Sequence, residues 1–331
     1  MRTNMKILLF MLASSLLLPA QLCKASFFEM NLKQDSLYTP GNINLTMKLT
    51  PAAKIENNYK FKVSIFLTGT LIREQTIEAA GEKHVSFKLA VPEVFDKTQG
   101  RCRCELLLEN DFLEAQEVPL LLWPAIEPYK QQTQMNTEIW IYDTSGKLLD
   151  LFRKMEVKVV DATFKTARDF GKPDIVFVGE DTDPNNMKIL TDSISSLKLQ
   201  PVGVYLKQKQ FLKEAKIEVP TEKNMSQTVL VSRDNPFITG FDARDIMSLV
   251  NNANYLKIKK EDTDRTIFSY VYEVTEDEKF FCSYLCTSKK DNQLTIYCQL
   301  PITAGSDPRS VVLLKNILRY AESENYRIKT K

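Results

Sequence analysis

The chain has 331 residues, a length that predicts two domains, and its apolar content is that of an ordinary globular protein. It carries 44 Lys and Arg residues against 42 Asp and Glu residues, and without the first 25 residues the counts are 41 and 42, a net charge of −1. A charge this close to zero gives no electrostatic reason to expect nucleic acid or an anionic membrane surface as a partner.

The first 25 residues have the pattern of a signal peptide. Arg2 and Lys6 form a positive region, residues 7–20 are an uncharged apolar run, and the small residue Ala25 ends the segment. We expect cleavage near Ala25 and export to the periplasm or out of the cell. No stable membrane span is expected after cleavage, because no later segment is long and apolar enough. Lipidation of Cys23 and an uncleaved signal anchor are the alternatives.

Five cysteines remain after this cleavage, and their odd number argues against a full disulfide framework. Cys102 and Cys104 lie two residues apart in a predicted strand, so we expect both to point into the core. Cys282 and Cys298 could form a disulfide across a predicted hairpin, an alternative that depends on a strand register which the sequence does not fix. We expect no metal or other cofactor, because His84 is the only histidine.

Residues 26–124 have the pattern of an all-β domain. Apolar and polar residues alternate in short runs, as in strands with one buried face, and no useful length of helical periodicity interrupts them. The runs lie at residues 43–49, 59–67, 85–91, 102–108 and 118–123. Their number and spacing predict an immunoglobulin-like β-sandwich.

A polar segment, residues 125–136, is predicted to link this sandwich to a second domain at residues 137–331. In the second domain the pattern changes to alternating strands and helices. One helix follows Gly146, and another follows Asp183 and Pro184, which suit an N-cap and a first helical turn. The strands are predicted at residues 139–142, 157–160, 174–179 and 202–206. This order predicts a parallel sheet with helices on both sides.

The C-terminal part has a different pattern. Three antiparallel strands are predicted at residues 266–274, 279–287 and 293–300, and a hairpin turn joins the last two. Asp307 and Pro308 then cap a final helix with one apolar stripe.

Residues 137–322 resemble the class I glutamine amidotransferase-like domains, in the non-catalytic branch found as the trimerisation domain of some β-galactosidases. The resemblance implies a flavodoxin-like, doubly wound fold with some antiparallel strands, placed after the sandwich. The matching segments are residues 139–143, 173–179, 202–208, 235–241 and 297–301. The order of these segments, more than any one of them, carries the resemblance.

The resemblance also implies where a catalytic relative places its nucleophile. That position is the sharp turn after the strand at residues 202–206, where a glutaminase needs a cysteine and a histidine to accept its proton. Here the turn reads Lys207, Gln208 and Lys209, and the second domain contains no histidine. The sequence therefore predicts a degenerate nucleophile elbow and no Cys-His-Glu triad.

Four polar residues are candidates for a pocket edge beside this elbow: Asp143, Thr144, Ser145 and Glu180. The first three stand at a helix N-terminus, where doubly wound folds bind phosphate, but the segment lacks a second glycine, and we interpret it as a capped strand-to-helix turn. Glu180, together with Asp161, Asp181 and Asp183, could supply paired carboxylates for glycoside hydrolysis.

Two functional hypotheses follow. The first is an exported, non-catalytic binding or assembly protein, linked to carbohydrate metabolism by the resemblance, whose partner is a protein or a glycan or a second copy of itself. The alternative is an exported, carboxylate-dependent glycoside hydrolase or an accessory subunit of one. An accessory subunit of an exporter is a third hypothesis, disfavoured because no further membrane segment is found.

Overall fold

A computed structural model describes most of the chain. The residues described are 26–53, 58–79, 81–130, 137–163, 171–196, 200–211, 217–220, 229–232, 234–251, 253–259, 267–273, 280–290, 293–302 and 307–330. The predicted signal peptide, including Cys23, and residues 131–136 of the predicted linker lie outside the described residues.

Eight strands precede residue 124 and form two sheets. They are β1 (Phe28–Leu32), β2 (Ser36–Tyr38), β3 (Gly41–Leu49), β4 (Tyr59–Leu67), β5 (Thr70–Glu78), β6 (His84–Val91), β7 (Thr98–Leu108) and β8 (Asp111–Trp123). One sheet has the order β1-β3-β6, and the other has the order β2-β8-β7-β4-β5. The aromatic rings of Phe28 and Phe61, one from each sheet, lie 5.5 Å apart in an edge-to-face contact, so the sheets pack on each other.

The sequence correctly predicts five of these strands, β3, β4, β6 and β7 from alternation and the end of β8 from its apolar run. In β3 and β4 the odd-numbered apolar residues are buried, and successive side chains point to opposite faces of the sheet. Cys102 and Cys104 are fully buried in β7, which confirms them as core residues, and His84 is exposed at the start of β6 as expected. Strands β1, β2 and β5 were not predicted: β2 is only three residues long, β5 does not alternate, and the alternation of β1 over five residues was missed.

Among the described residues that follow are ten further strands, four α-helices and a 3-10 helix at Pro236–Ile238. The strands are β9 (Ile139–Tyr142), β10 (Val160–Asp161), β11 (Ile175–Val178), β12 (Val202–Leu206), β13 (Ile217–Glu218), β14 (Val229–Val231), β15 (Leu256–Lys259), β16 (Ile267–Glu273), β17 (Phe280–Lys290) and β18 (Gln293–Cys298). The helices are α1 (Lys147–Lys154), α2 (Pro184–Ser196), α3 (Ala243–Asn251) and α4 (Pro308–Lys329). The chain is therefore a mixed α and β protein.

These ten strands form one sheet. Its first five strands, in the order β10-β9-β11-β12-β18, are parallel to one another. Antiparallel strands β17, β15 and β13 continue it, and β16 pairs with β17 as predicted. Phe152 of α1 packs on Phe177 of β11 with ring centroids 5.0 Å apart, whereas Leu190 of α2 clusters with Val176 and Val178. Because alternate strand residues face opposite sides, α1 and α2 cover different faces.

The register of the C-terminal hairpin shows that the disulfide alternative was wrong. Cys298 lies opposite Leu285, whereas Cys282 lies opposite Lys257 on one neighbouring strand and Glu273 on the other. The five described cysteines form no disulfide, and all are buried. The predicted strand at residues 157–160 is also shorter than expected: the Val157 backbone N–H bonds to the carbonyl of Phe152, and β10 begins only at Val160.

The two tryptophans of the chain are buried. Trp140 in β9 is fully buried, and its indole N–H donates to a Glu138 carboxylate oxygen at 2.5 Å. Trp123 ends β8, and its indole N–H donates to the Ser36 hydroxyl at 2.9 Å. Buried indole N–H groups normally have such partners, so neither ring is presented as a surface for stacking sugars.

Contacts divide the chain into two compact units. The first contains the described residues up to Asp35, together with Asn42–Val91 and Gln99–Leu120. The second contains Ser36–Gly41, Pro92–Thr98 and the chain from Leu121 onwards. Within the second unit, Tyr129 of the predicted linker is buried and donates its hydroxyl to Glu322 at 2.7 Å. The domain boundary at residues 125–136 stays a prediction. Within the described part of the chain, helices that combine the length and the hydropathy of a membrane span are absent.

Candidate functional site

The turn after β12 has the backbone of a sharp, constrained elbow. Lys207 has φ 43° and Asp181, in the turn after the neighbouring strand β11, has φ 51°. A left-handed backbone is uncommon for residues other than glycine, and it persists only where the surroundings fix it. Two backbone hydrogen bonds do so: the Lys207 N–H donates to the Cys298 carbonyl at 2.6 Å, and the Asp181 N–H donates to the Lys207 carbonyl at 3.2 Å.

The buried side chain of Gln208 stabilises the elbow through hydrogen bonds to the backbone. Its side chain is 1% exposed, and its amide nitrogen donates to the backbone carbonyls of Gly179 and, at 2.6 Å, Leu206. Its amide oxygen accepts the Thr182 backbone N–H at 3.0 Å. Every polar atom of this side chain therefore bonds to backbone, and Gln208 ties the ends of β11 and β12 together. It has no group left for chemistry.

The two lysines of the elbow form ion pairs with the turn after β11. The Lys207 ammonium lies 3.8 Å from a Glu180 carboxylate oxygen, and the Lys209 ammonium lies 3.0 Å from an Asp181 oxygen. Lys209 is 77% exposed, so its pair contributes little to stability. The Glu180 carboxylate is mostly buried, and its other oxygen has no hydrogen-bond partner among the described residues.

Gln299, which follows β18, completes this cluster and was missed by the sequence analysis. It is 1% exposed, and its amide nitrogen donates to the Gln208 carbonyl at 2.7 Å. Its backbone N–H donates to the Tyr284 carbonyl at 2.8 Å. The only signal in the sequence was a polar residue between the buried Cys298 and Leu300, which the strand pattern alone does not distinguish from an exposed position.

The thiols of this domain are not activated. Burial raises the pKa of the Cys298 thiol to about 12, and the nearby Glu180 charge acts in the same direction, against a lowering by the hydrogen bond to Leu300. Burial likewise raises the pKa of the Cys286 thiol. A nucleophilic cysteine needs a thiolate, which forms beside positive charge or a histidine and not in an apolar interior. His84, the only histidine of the chain, is an exposed residue of β6 in the first unit.

Asp143, the first residue of the predicted pocket edge, has both carboxylate oxygens engaged in local hydrogen bonds. One Asp143 carboxylate oxygen accepts the backbone N–H and the hydroxyl of Ser145, at 3.1 and 2.7 Å, and the other accepts the Leu148 N–H at 2.7 Å. Thr144 and Ser145 are exposed. A Cβ added to Gly179 would lie 2.6 Å from the Asp143 carboxylate, so a glycine is needed where β11 ends beside this cap. Asp143 therefore holds the strand-to-helix turn.

The acidic residues proposed as a catalytic pair have separate structural roles. Asp183 caps α2, accepting the Asn185 and Asn186 N–H groups at 2.9 and 3.4 Å. Asp161 accepts the Thr163 N–H at 3.0 Å. Together with the ion pairs of Glu180 and Asp181, these contacts give each of the four carboxylates a local partner.

Comparison with known proteins gives distant similarities only. No protein-family model matches the chain, and a search of curated proteins finds no match. A β-galactosidase chain of Bacteroides fragilis is 12% identical over 56% of this chain and 34% of its own length, with a TM-score of 0.21. The β-glucuronidase of Parabacteroides merdae is 9% identical over 54% and 24%, with a TM-score of 0.22.

A smaller structure is similar over a shorter part of this chain. The CARDB domain of the PF1109 protein from Pyrococcus furiosus is 13% identical over 29% of this chain and 91% of its own length, with a TM-score of 0.23. The chain thus spans only about a third of the galactosidase and a quarter of the glucuronidase. At these scores the similarities assign neither a family nor a function to this chain.

Proposed function

We propose that this protein is an exported, non-catalytic binding or assembly protein, in which a doubly wound, degenerate amidotransferase-like domain follows an immunoglobulin-like sandwich. The observation that carries the proposal is the elbow after β12. Lys207 has the strained, positive φ that suits a nucleophile elbow, but its side chain is a lysine paired with Glu180. A domain that is retained for binding is expected to keep the backbone conformation of the elbow without the nucleophile.

The chemistry of the neighbouring groups supports the same conclusion. Attack on a carboxamide needs a nucleophile and an oriented base. Gln208 is occupied by backbone hydrogen bonds, the Cys298 thiol is buried, and the Lys207 ammonium is paired with the Glu180 carboxylate. Strands with helices on different faces, as α1 and α2 lie here, support the doubly wound fold.

An assay of glutamine hydrolysis tests the absence of catalysis. We expect purified protein to release no ammonia from glutamine above a buffer blank. C286S and C298S variants should be equally inactive, and their thermal unfolding shows whether they are folded. Glutamine turnover that is lost in C298S and kept in C286S would contradict the proposal, because it would identify a working nucleophile.

Self-association of the elbow is a separate test of the assembly role. Because Lys209 is exposed and Lys207 partly so, a double K207A/K209A variant should fold normally. If the elbow contacts a second copy, light scattering will show a smaller particle for this variant than for the parent protein. The control is K188A, which removes another exposed lysine that pairs with Asp192 on α2. Equal particle masses for the parent protein, K207A/K209A and K188A would show that the elbow does not contact a second copy. The partner would then be a different protein or a glycan.

A further inference from the structure

A cleft lies along α4, and it shares no lining residue with the elbow. Its volume is about 350 Å³, at the small end of the range for ligand pockets. Pro236 forms one wall, and Arg319, Tyr320, Glu324 and Arg327 are among the residues of the other. All belong to the second unit.

The wall at Pro236 is held rigidly on the helix. Phe237 is fully buried, and its ring lies 4.8 Å from that of Tyr270 and 4.7 Å from that of Tyr320. The Asn316 amide donates to the carbonyls of Phe237 and Thr239, at 2.9 Å each. The cleft is therefore formed before any ligand arrives, which lowers the entropic cost of binding.

The cleft carries an excess of positive charge. Arg319 and Arg327 lie two turns apart, and because residues four apart share a helix face, both guanidinium groups border the same space. Arg327 pairs with the Glu324 carboxylate, which is mostly buried. Arg319 is exposed and has no ion pair within the described ranges. One arginine is therefore compensated by an acidic residue of the cleft, and the other is not.

We propose that this cleft binds a small organic carboxylate, with the Arg319 guanidinium as its principal contact. Guanidinium groups bind carboxylates through two parallel hydrogen bonds, a geometry that a lysine does not offer. The choice of a carboxylate follows from the charge of the cleft: with Glu324 paired to Arg327, one positive charge remains, which suits a singly charged carboxylate better than a phosphate. Ser323 and Tyr320, which also line the cleft, have hydroxyl groups that suit a hydroxylated ligand. This inference does not rest on the proposed function of the elbow.

Calorimetric titration of the purified protein with sodium gluconate tests the proposal. Sorbitol is the matched probe, because it is a polyol of similar size without the carboxylate. We expect saturable binding of gluconate and none of sorbitol. Binding of both equally, of neither at about 10 mM, or of inorganic phosphate more tightly than gluconate would overturn the proposal; about 10 mM already corresponds to less than 3 kcal/mol of binding free energy.

Variants of the arginines and of Glu324 locate the site by effects of opposite sign. R319Q should weaken gluconate binding about tenfold or more, since it removes a charge-assisted contact. E324Q should strengthen binding about two- to fivefold, because it releases Arg327 from its ion pair with Glu324. R153Q is the matched control, an exposed arginine of α1 paired with Asp150. Equal affinities for R319Q and R153Q, or weaker binding by E324Q with unchanged thermal unfolding, would refute the assignment.

Discussion

Lys207 and Asp181 show how a strained elbow is maintained without catalysis. Both residues have positive φ, and each such residue costs on the order of 1–3 kcal/mol. The cost is offset by the surrounding hydrogen bonds, which include those from Gln208 to three backbone groups of two adjoining turns. The backbone conformation therefore depends on Gln208 more than on the lysines beside it.

Replacing Gln208 by Ala should destabilise the protein strongly. The substitution removes the partner of the buried Thr182 N–H and one of the two donors to the Gly179 carbonyl, so we expect a loss of about 2–4 kcal/mol in the free energy of unfolding. K209A is the control: its side chain is 77% exposed, and the change should stay within about 0.5 kcal/mol. Denaturant unfolding measures both. A Q208A protein as stable as K209A would show that these hydrogen bonds are unnecessary.

Helix α3 depends on one lysine from a distant part of the chain. The Lys97 ammonium lies 3.0 Å from an Asp242 carboxylate oxygen, contacts the fully buried Asp245, and stands 4.9 Å from the centre of the Trp123 ring. The Asp242 side chain also accepts the N–H groups of Arg244 and Asp245, at 2.9 and 3.0 Å, and so caps the helix. Lys97 thus neutralises two acidic residues at the start of α3.

Removing the Lys97 charge should lower the free energy of unfolding, because Asp245 is buried. We expect K97M to lose about 3–5 kcal/mol of stability, because one partner of a buried ion pair is left charged and uncompensated. The double variant K97M/D245N should recover part of that loss, since the remaining side chain is neutral. Denaturant unfolding of the single and double variants measures this. A double variant less stable than K97M would mean that Asp245 acts through contacts other than its charge.

The same cluster makes a prediction about pH. Burial by itself raises the pKa of Asp242, but hydrogen bonds from the Asp245 backbone and from Lys97, with the Lys97 charge, outweigh it and leave the pKa lowered. A carboxyl whose folded pKa is lowered adds stability that is complete above its unfolded pKa and is lost as the pH falls through its folded pKa. The parent protein should therefore lose more stability between about pH 5 and pH 2 than K97M does. If the free energies of unfolding of the parent protein and of K97M fall equally over this pH range, the assignment is contradicted.

The chain taken as a unit is proposed to leave the cytoplasm. The basic, apolar and small-residue regions of residues 1–25 predict cleavage near Ala25, so mass spectrometry of protein from the native host should find an N-terminus close to Ser26. The Ser26 hydroxyl oxygen lies 2.6 Å from the Phe28 carbonyl and 2.7 Å from a Glu114 carboxylate oxygen. A chain that begins at Ser26 therefore keeps these contacts.

A variant of the apolar run provides the control for export. L17R places a charge in the middle of residues 7–20, and a charged apolar region is a poor export signal. This variant should keep its full length and remain in the cytoplasm. A full-length parent protein, or one carrying lipid on Cys23, would show that the segment is an anchor and not a cleaved signal.

Patterns that depend on near neighbours were read correctly from the sequence. Alternation predicted β3, β4, β6 and β7, because one buried face selects apolar residues at every second position. The caps of α2 and α4 at Asp183 and Asp307 were equally clear, since a cap bonds to N–H groups within three residues of itself. The mixed α and β character of the chain also followed from the sequence alone.

Tertiary structure decided the features that join distant segments. The register that places Leu285 opposite Cys298 depends on how whole strands pair, and a shift of one residue would reverse every side chain. The contact of Lys97 with Asp245 and that of Gln299 with Gln208 span 148 and 91 residues. A local sequence pattern contains no information on such contacts, because their energy comes from burial and charge compensation that exist only after the elements have packed.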